Sequence, residues 1–208
     1  MKRNILLLFT FFACITVQGQ TPVRLVDLRS EHLDRPLGLD NPVPRLSWRM
    51  EDGRQGAVQT SWRIEVDEDS LNVANGCGRM WDSGKNDSRN LLVAYAGKKL
   101  QPFTRYYWKV ICSDMKYKET ASPVSYFETG MMGMQHWQGA WIGDGKDIHY
   151  GPAPYFRKEF KTGKKVKSAR AYIAAAGLYE LYINGEKVGD GCLATHFTRF
   201  DRSKLYEA

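Results

Sequence analysis

The stretch 100-LQPFTRYYWKVICSD-114 decides what kind of fold this chain builds. From Thr104 onward its side chains fall on alternate faces: Thr104, Tyr106, Trp108, Val110 and Cys112 on one, Arg105, Tyr107, Lys109 and Ile111 on the other. A period of two with one apolar face marks a strand that buries one side. Leu100 and Pro102 lead into it, and a proline there closes off whatever precedes, because it has no N–H to give to a ladder.

The same pattern recurs upstream. Val23 to Arg29 alternates well enough for a first strand, after which Pro36, Pro42 and Pro44 break the chain. Arg45 to Met50 follows, with Leu46 and Trp48 on one face. In Gln59 to Asp67, Trp62, Ile64 and Val66 face one way and Arg63, Glu65 and Asp67 the other, so the charged face is expected to point outward. About seven short strands are predicted between Val23 and Thr129. The whole chain agrees: 12% of residues are aromatic, 19 are Gly and 8 are Pro, and helix-period apolar runs are nearly absent, which makes a mainly β chain. With 208 residues there is room for two small domains.

A leucine, a proline and then a tyrosine entering a strand is the layout of the tyrosine corner, in which the phenol bonds back to the chain just upstream. On these residues the segment 23–130 resembles a fibronectin type III domain. Its second strand is 45-RLSW-48, its sixth 100-LQPFTRYYWKV-110 and its seventh 124-VSYFETG-130.

Beyond a connector, 131-MMGMQH-136, whose methionines read as packing filler, strands are expected at Tyr155–Phe160 and from Ser168 to Ala176. Asn184-Gly185 between Leu181-Tyr182-Ile183 and a run ending at Val188 predicts a two-residue hairpin. A further strand is expected from Lys204 to Glu207, reaching Ala208 with no turn or partner after it. The ordered motifs 137-WQGAWI-142, 153-APYFRKEF-160, 169-ARAYIAAAGLYELYINGEKVGDGCL-193 and 196-HFTRFDRSKLYEA-208 resemble the β-sandwich that precedes the catalytic region of bacterial α-L-rhamnosidases. The resemblance implies an all-β chain: a fibronectin type III-like sandwich at 23–130, a linker and first strand region at 131–154, and the start of a galactose-binding-like (jelly-roll) sandwich at 155–208. It also implies a glycosidase that releases terminal α-L-rhamnose with inversion, using an acid and a base carboxyl roughly 6.5–9.5 Å apart. In that family both carboxyls sit in a helical barrel after the sandwiches, so this chain is expected to be a non-catalytic N-terminal accessory segment, the front end of a larger protein.

The first residues stand apart. Lys2 and Arg3 precede an uncharged run from Ile5 to Val17, shorter than the roughly 20 residues of a membrane span, which is the layout of a secretory signal. Residues 1–19 are predicted to be removed, leaving Gln20 first. Cys14 would suit a lipoprotein signal, but Phe11-Phe12-Ala13 is a poor match to what precedes such a cysteine. Export to the periplasm or surface of a Gram-negative bacterium is expected, with no stable membrane span.

The net charge of +7 falls to +5 once Lys2 and Arg3 leave. The densest basic patch, Lys158, Lys161, Lys164, Lys165, Lys167 and Arg170, flanks Thr162-Gly163 and reads as a solvated turn between strands. A nucleic-acid partner would want aromatics interleaved with the cations and a defined module behind them, and none is expected. Cys77, Cys112 and Cys192 remain after the signal; three is odd, and none of their spacings suits zinc, so neither a disulfide framework nor a zinc site is expected. Cys112 reads as a core residue, and Cys77 and Cys192 as loop residues beside glycines.

No catalytic pair emerges. Asp67, Glu68 and Asp69 read as a polar turn at a strand end. Asp144 and Asp147 would supply only two of the several oxygens a calcium ion takes. His32, His136, His149 and His196 have no Ser or Cys partner in a nucleophile motif. No cofactor or metal is expected. Trp137, Tyr150, Tyr155 and His196 are the candidate carbohydrate contacts, whereas Trp141 and Phe156 are expected in the core. The partner implied is a rhamnose-containing glycan of plant or host origin, reached through the missing catalytic domain. The alternative is a free-standing carbohydrate-binding or structural β-sandwich module. The purified 208-residue chain is expected to hydrolyse an aryl α-L-rhamnoside at background rate only. Turnover that vanished on mutating one carboxylate within it would overturn that expectation.

Overall fold

The computed structural model describes residues 22–116, 118–146, 149, 151–189, 194 and 205–208. Its first half contains β1 (Arg24–Ser30), β2 (Arg45–Glu51), β3 (Gln59–Asp67), the short helix α1 (Ser70–Ala74), β4 (Trp81–Asp82), β5 (Leu92–Ala94), β6 (Arg105–Asp114), β7 (Glu119–Ala121) and β8 (Ser125–Glu128). These form two antiparallel sheets, one ordered β1-β2-β5 and the other β4-β3-β6-β7, with β8 also on β6. The expected seventh strand, 124–130, forms as β8, and β7 is a further short strand just before it on the same edge of β6. Pro123 has no N–H for the ladder, and Ser122 bridges the gap, its N–H donating to the Val110 carbonyl (2.8 Å) and its Oγ accepting from Val110 N–H (3.1 Å). Leu25, Leu46 and Trp48 of one sheet pack with Ile64, Val66, Trp108, Val110 and Phe127 of the other in one buried cluster.

The tyrosine corner is present. Tyr106 is fully buried, and its hydroxyl accepts a hydrogen bond from the Gln101 N–H at 2.8 Å, so the phenol oxygen is the acceptor that holds the approach to β6. Between the sheets one polar side chain ties three elements together: the Gln59 amide oxygen accepts from Trp48 Nε1 (2.9 Å) and from the Cys112 thiol (2.8 Å), and its nitrogen donates to the Asn90 carbonyl (3.1 Å). Burial pushes the Cys112 thiol up to about 12, so it stays a neutral core group.

The outer face of β3 departs from the expected solvated row. Glu65 and Asp67 are each only 1% exposed. The charges are covered because each has a cation laid over it: Lys109 and Arg63 stand 3.3 and 3.2 Å from Glu65, and Arg79 grips Asp67. Asp67 also accepts the Asp69 N–H, while Asp69 caps α1 by accepting from Leu71 N–H. The acidic triplet is therefore a buried anchor and a helix cap, where a loose polar turn was expected.

The second half is sparser. A 3-10 turn spans Met134–His136, β9 (Ile173–Ala174) pairs with β12 (Tyr206–Glu207), and β10 (Tyr182–Ile183) pairs with β11 (Glu186–Lys187). The hairpin forms as predicted, with Asn184 (φ 52°) and Gly185 (φ 86°) both left-handed, as its two-residue turn requires. The strand expected at Tyr155–Phe160 does not form: among the described residues no neighbouring strand takes its backbone groups, and every residue from 151 to 170 is exposed. Trp141 (60% exposed) and Phe156 (53%) lie outside any core, because no second layer covers them among the described residues. The terminal strand does have a partner, β9. Cys192 lies outside the described residues, Cys77 is exposed and Cys112 buried, as read from sequence.

Tyr106→Phe leaves the Gln101 N–H without its partner, and chemical unfolding of residues 22–131 is expected to show a loss of roughly 1–3 kcal/mol. An unchanged midpoint would mean the corner carries no weight. A second expectation concerns acid. The Arg79 hydrogen bond holds Asp67 well below the usual carboxylate range, and the Arg45 hydrogen bond lowers Glu31 to about 2. Both shifts are downward on folding, so their stabilisation is complete above the unfolded value of about 4 and is lost as pH falls through the folded values. Unfolding midpoints followed from pH ~5 to ~2 should fall, and fall less steeply in Asp67→Asn. Equal slopes would remove Asp67 from the acid response.

Candidate functional site: the joint between the two halves

A polar constellation links the sandwich to the second half. Glu128, at the end of β8, has a side chain 9% exposed and receives two guanidinium groups. Arg105, on the neighbouring β6, donates to Glu128 Oε2 from Nε (3.1 Å) and Nη2 (2.9 Å). Arg170, three residues before β9, donates from Nε to Oε1 (2.8 Å) and from Nη2 to Oε2 (3.2 Å). A buried carboxylate held by paired guanidinium forks is among the stronger polar contacts a protein makes. The Arg105 guanidinium also lies 4.4 Å from the centre of the Tyr126 ring.

A second contact sits at β12. The Tyr206 hydroxyl donates to Asp40 Oδ2 (2.8 Å) and accepts from Met131 N–H (3.1 Å), while Asp40 Oδ1 accepts from Met132 N–H (2.7 Å). Burial first, with the Asp40 carboxylate adding to it, raises the Tyr206 phenol, which keeps it a neutral donor. The Tyr172 ring lies 4.9 Å from Phe103, edge-on, and 5.9 Å from Tyr206. Gly130 makes the seat: a Cβ there would overlap the Tyr206 hydroxyl and stand 2.8 Å from the Gly38 carbonyl. Phe103 (φ 55°) and Met132 (φ 52°) hold left-handed backbone that bulky residues rarely adopt, a cost of order 1 kcal/mol or more apiece. Both stand at this joint.

The residues picked from sequence sit elsewhere. Trp137 caps the 3-10 turn and is half-buried, its indole lying along Gly139. Tyr155 is fully exposed. Among the described residues no ring contact joins the two, and Tyr150 and His196 lie outside the described residues. Sequence reasoning missed the joint because its partners are far apart, 42 residues for Arg170 to Glu128 and 166 for Tyr206 to Asp40. Arg170 read as the end of a lysine patch and Tyr206 as a plain strand residue.

Shallow clefts lie elsewhere on the described surface. One, about 500 Å³, lies on the outer face of β3 and β6 over Arg63, Glu65, Lys109 and Asp82. Its charges satisfy each other: Arg63 donates to Asp82 (2.8 Å), and Lys109 donates to the Ala74 carbonyl (3.2 Å) while pairing with Glu65. Among the described residues no group of three His, Cys, Asp or Glu is placed to hold a metal ion. Asp144 accepts its own loop's Lys146 N–H, and Asp147 lies outside the described residues. No described helix is long and apolar enough to cross a membrane.

Residues 25–133 match the family described as "Rha78A-like, N-terminal immunoglobulin domain", and residues 164–208 match the "Alpha-L-rhamnosidase N-terminal domain". An α-L-rhamnosidase of Formosa agariphila is 29% identical over 98% of this chain, and one of Streptomyces avermitilis is 30% identical over 80%. The solved α-L-rhamnosidase of Dictyoglumus thermophilum superposes with a TM-score of 0.80 at 36% identity over 88% of this chain. The chain spans 24%, 18% and 23% of these three relatives respectively. The two matches meet at the joint, with Glu128 and Met131 in the first and Arg170 and Tyr206 in the second. The chain thus belongs to the α-L-rhamnosidase family, to whose N-terminal region its immunoglobulin-like sandwich and the segment docked on it correspond.

Proposed function

We propose that these residues are the exported, non-catalytic N-terminal support of an α-L-rhamnosidase that acts on rhamnose-containing glycans. The sandwich serves as a strut, and the joint fixes the angle at which it carries the rest of the enzyme. The observation behind this reading is the double contact of Arg170 with Glu128 and Tyr206 with Asp40, two polar clasps accompanied by the edge-on and tilted ring contacts of Tyr172 with Phe103 and Tyr206. A flexible tether would need neither clasp nor strained backbone. Export rests on the uncharged run from Ile5 to Val17 behind Lys2 and Arg3.

Arg170→Ala combined with Tyr206→Phe removes both clasps while leaving the sandwich core intact. In the full-length enzyme the double variant is expected to lower thermal stability by a few degrees, with kcat/KM on an aryl α-L-rhamnoside within about twofold of the parent. A large fall in kcat at unchanged stability would place this region in the chemistry and end the support reading. In the secreted product, mass analysis should find an N-terminus at Gln20; an intact Met1 start in the periplasmic fraction would contradict signal removal.

A further inference from the structure

We infer that the loop joining β1 to β2, residues 31–44, is the seat for the part of the enzyme that follows position 208, which crosses it as extended chain from Gly38 toward Leu33. This rests on the reading of the chain as the front support of an α-L-rhamnosidase. The loop is tied at its ends: Glu31 N–H donates to the Arg45 carbonyl (2.8 Å), and the Glu31 carboxylate accepts from Arg45 N–H (2.6 Å) and from the Arg45 and Asn41 side chains. Its middle is strapped to the end of β8. There Glu128 N–H donates to the Pro36 carbonyl (2.9 Å), Leu39 N–H to the Glu128 carbonyl (2.9 Å) and Gly130 N–H to the Leu39 carbonyl (2.8 Å). A closed surface loop of this length, bound by its own side chains, is an Ω-loop, a frequent carrier of function.

Its backbone is costly to hold. Glu31 (φ 50°), His32 (φ 64°) and Arg35 (φ 44°) are all left-handed without being glycine. Glu31 and His32 are the two central residues of the turn that bridges Ser30 to Leu33, a place where Asn-Gly would fit without strain. Joining two antiparallel neighbours such as β1 and β2 needs only a short turn, so a loop that runs from 31 to 44 does more than connect. Strain of this kind persists where the surroundings over-determine it, and it gathers where the chain must present a fixed surface.

The occupant is named by the path of β12. The Tyr206 hydroxyl bonds to Asp40, and two residues on, Ala208 lies against Gly38, where an added Cβ would stand 3.1 Å from the Ala208 Cβ. Advancing from Tyr206 to Ala208 thus moves the contact back along the loop from Asp40 to Gly38. Continued in that sense, the next residues cross Leu37 (42% exposed) and reach Leu33 (54%). Single exposed leucines are ordinary on a protein surface; these two stand next on a path already begun. This chain spans 24% of the Formosa agariphila relative and 23% of the Dictyoglumus thermophilum structure, so on the support reading most of the enzyme comes after position 208. Chain leaving Ala208 is tethered beside the loop, and a tethered segment needs far less intrinsic affinity than a second copy arriving from solution.

A photo-crosslinking residue in place of Leu37 in the full-length enzyme tests this. Irradiation should join it to a peptide within about ten residues after position 208, the reach of extended chain across the loop, with a yield that dilution does not change. Hydrogen exchange gives a second reading: the amides of residues 33–38 should exchange at least about tenfold more slowly in the full-length enzyme than in the 208-residue chain. Leu33→Ser with Leu37→Ser should return that exchange to the rate of the 208-residue chain. The same pair should leave the melting of the 208-residue chain within about one degree, since both side chains are exposed there. A crosslink to a second copy or to a distant part of the chain, no crosslink, or equal exchange in the two proteins would overturn the inference. The support reading fails separately. If Arg170→Ala with Tyr206→Phe cut kcat at unchanged stability while the crosslink formed as expected, that reading would fall and this docking would stand.

Discussion

Strand β6 has to satisfy hydrogen bonds along both edges while burying one whole face, and most of the first half follows from that constraint. On one side it pairs with β3 from Asp67 opposite Tyr107 to Gln59 opposite Asp114; on the other it pairs with β8 and then β7. Its inner face, Tyr106, Trp108, Val110 and Cys112, is at most 2% exposed. A ten-residue strand so placed leaves the second sheet little choice but to cover that face. The Gln59 amide then has to sit inside the sandwich, and it is accommodated because Trp48, Cys112 and Asn90 bring it partners.

The same strand carries the joint. Arg105 is its first residue and Glu128 is directly opposite on β8, so the register of one ladder positions the carboxylate that Arg170 must reach. Phe103, just before the strand, is held left-handed with its N–H on the Gly130 carbonyl, which turns its ring out toward Tyr172 and His136. Strain at the strand entrance and the docking surface are thus one feature, and the tyrosine corner at Tyr106 makes the entrance stiff enough to hold it.

Alternation made the sandwich legible from sequence: β2, β3 and β6 show period two, and Asn184-Gly185 announces its own turn chemistry. What alternation cannot show is which outward charge will be covered. Glu65 and Asp67 looked solvated because their faces were polar, and they are buried because Lys109 and Arg79 lie across them. The expected strand Tyr155–Phe160 has suitable residues but lacks a neighbour, and a strand is a property of a pair. Joint residues such as Asp40, Glu128, Arg170 and Tyr206 carry no local signature, since each is an ordinary polar residue until distant chain brings its partner.

The two halves differ in what orders them. Within the sandwich, apolar burial on both sheets offsets the entropy of fixing the chain, and polar contacts refine the result. In the second half Tyr182 and Ile183 of the hairpin remain about half exposed, so little apolar area is removed from water there. The segments that do lie close to the sandwich, around Arg170, Tyr172 and Tyr206, gain order through the Glu128 and Asp40 carboxylates and the edge-on Phe103 ring that the sandwich supplies. Because Glu128, Asp40 and Gly130 sit on backbone already fixed by the sandwich, these groups are pre-positioned, and docking a partner on them costs mainly the ordering of that partner. A surface whose accepting carboxylates are fixed by its own core, met by donors on the following segment, is the arrangement in which one folded unit can set the orientation of the next.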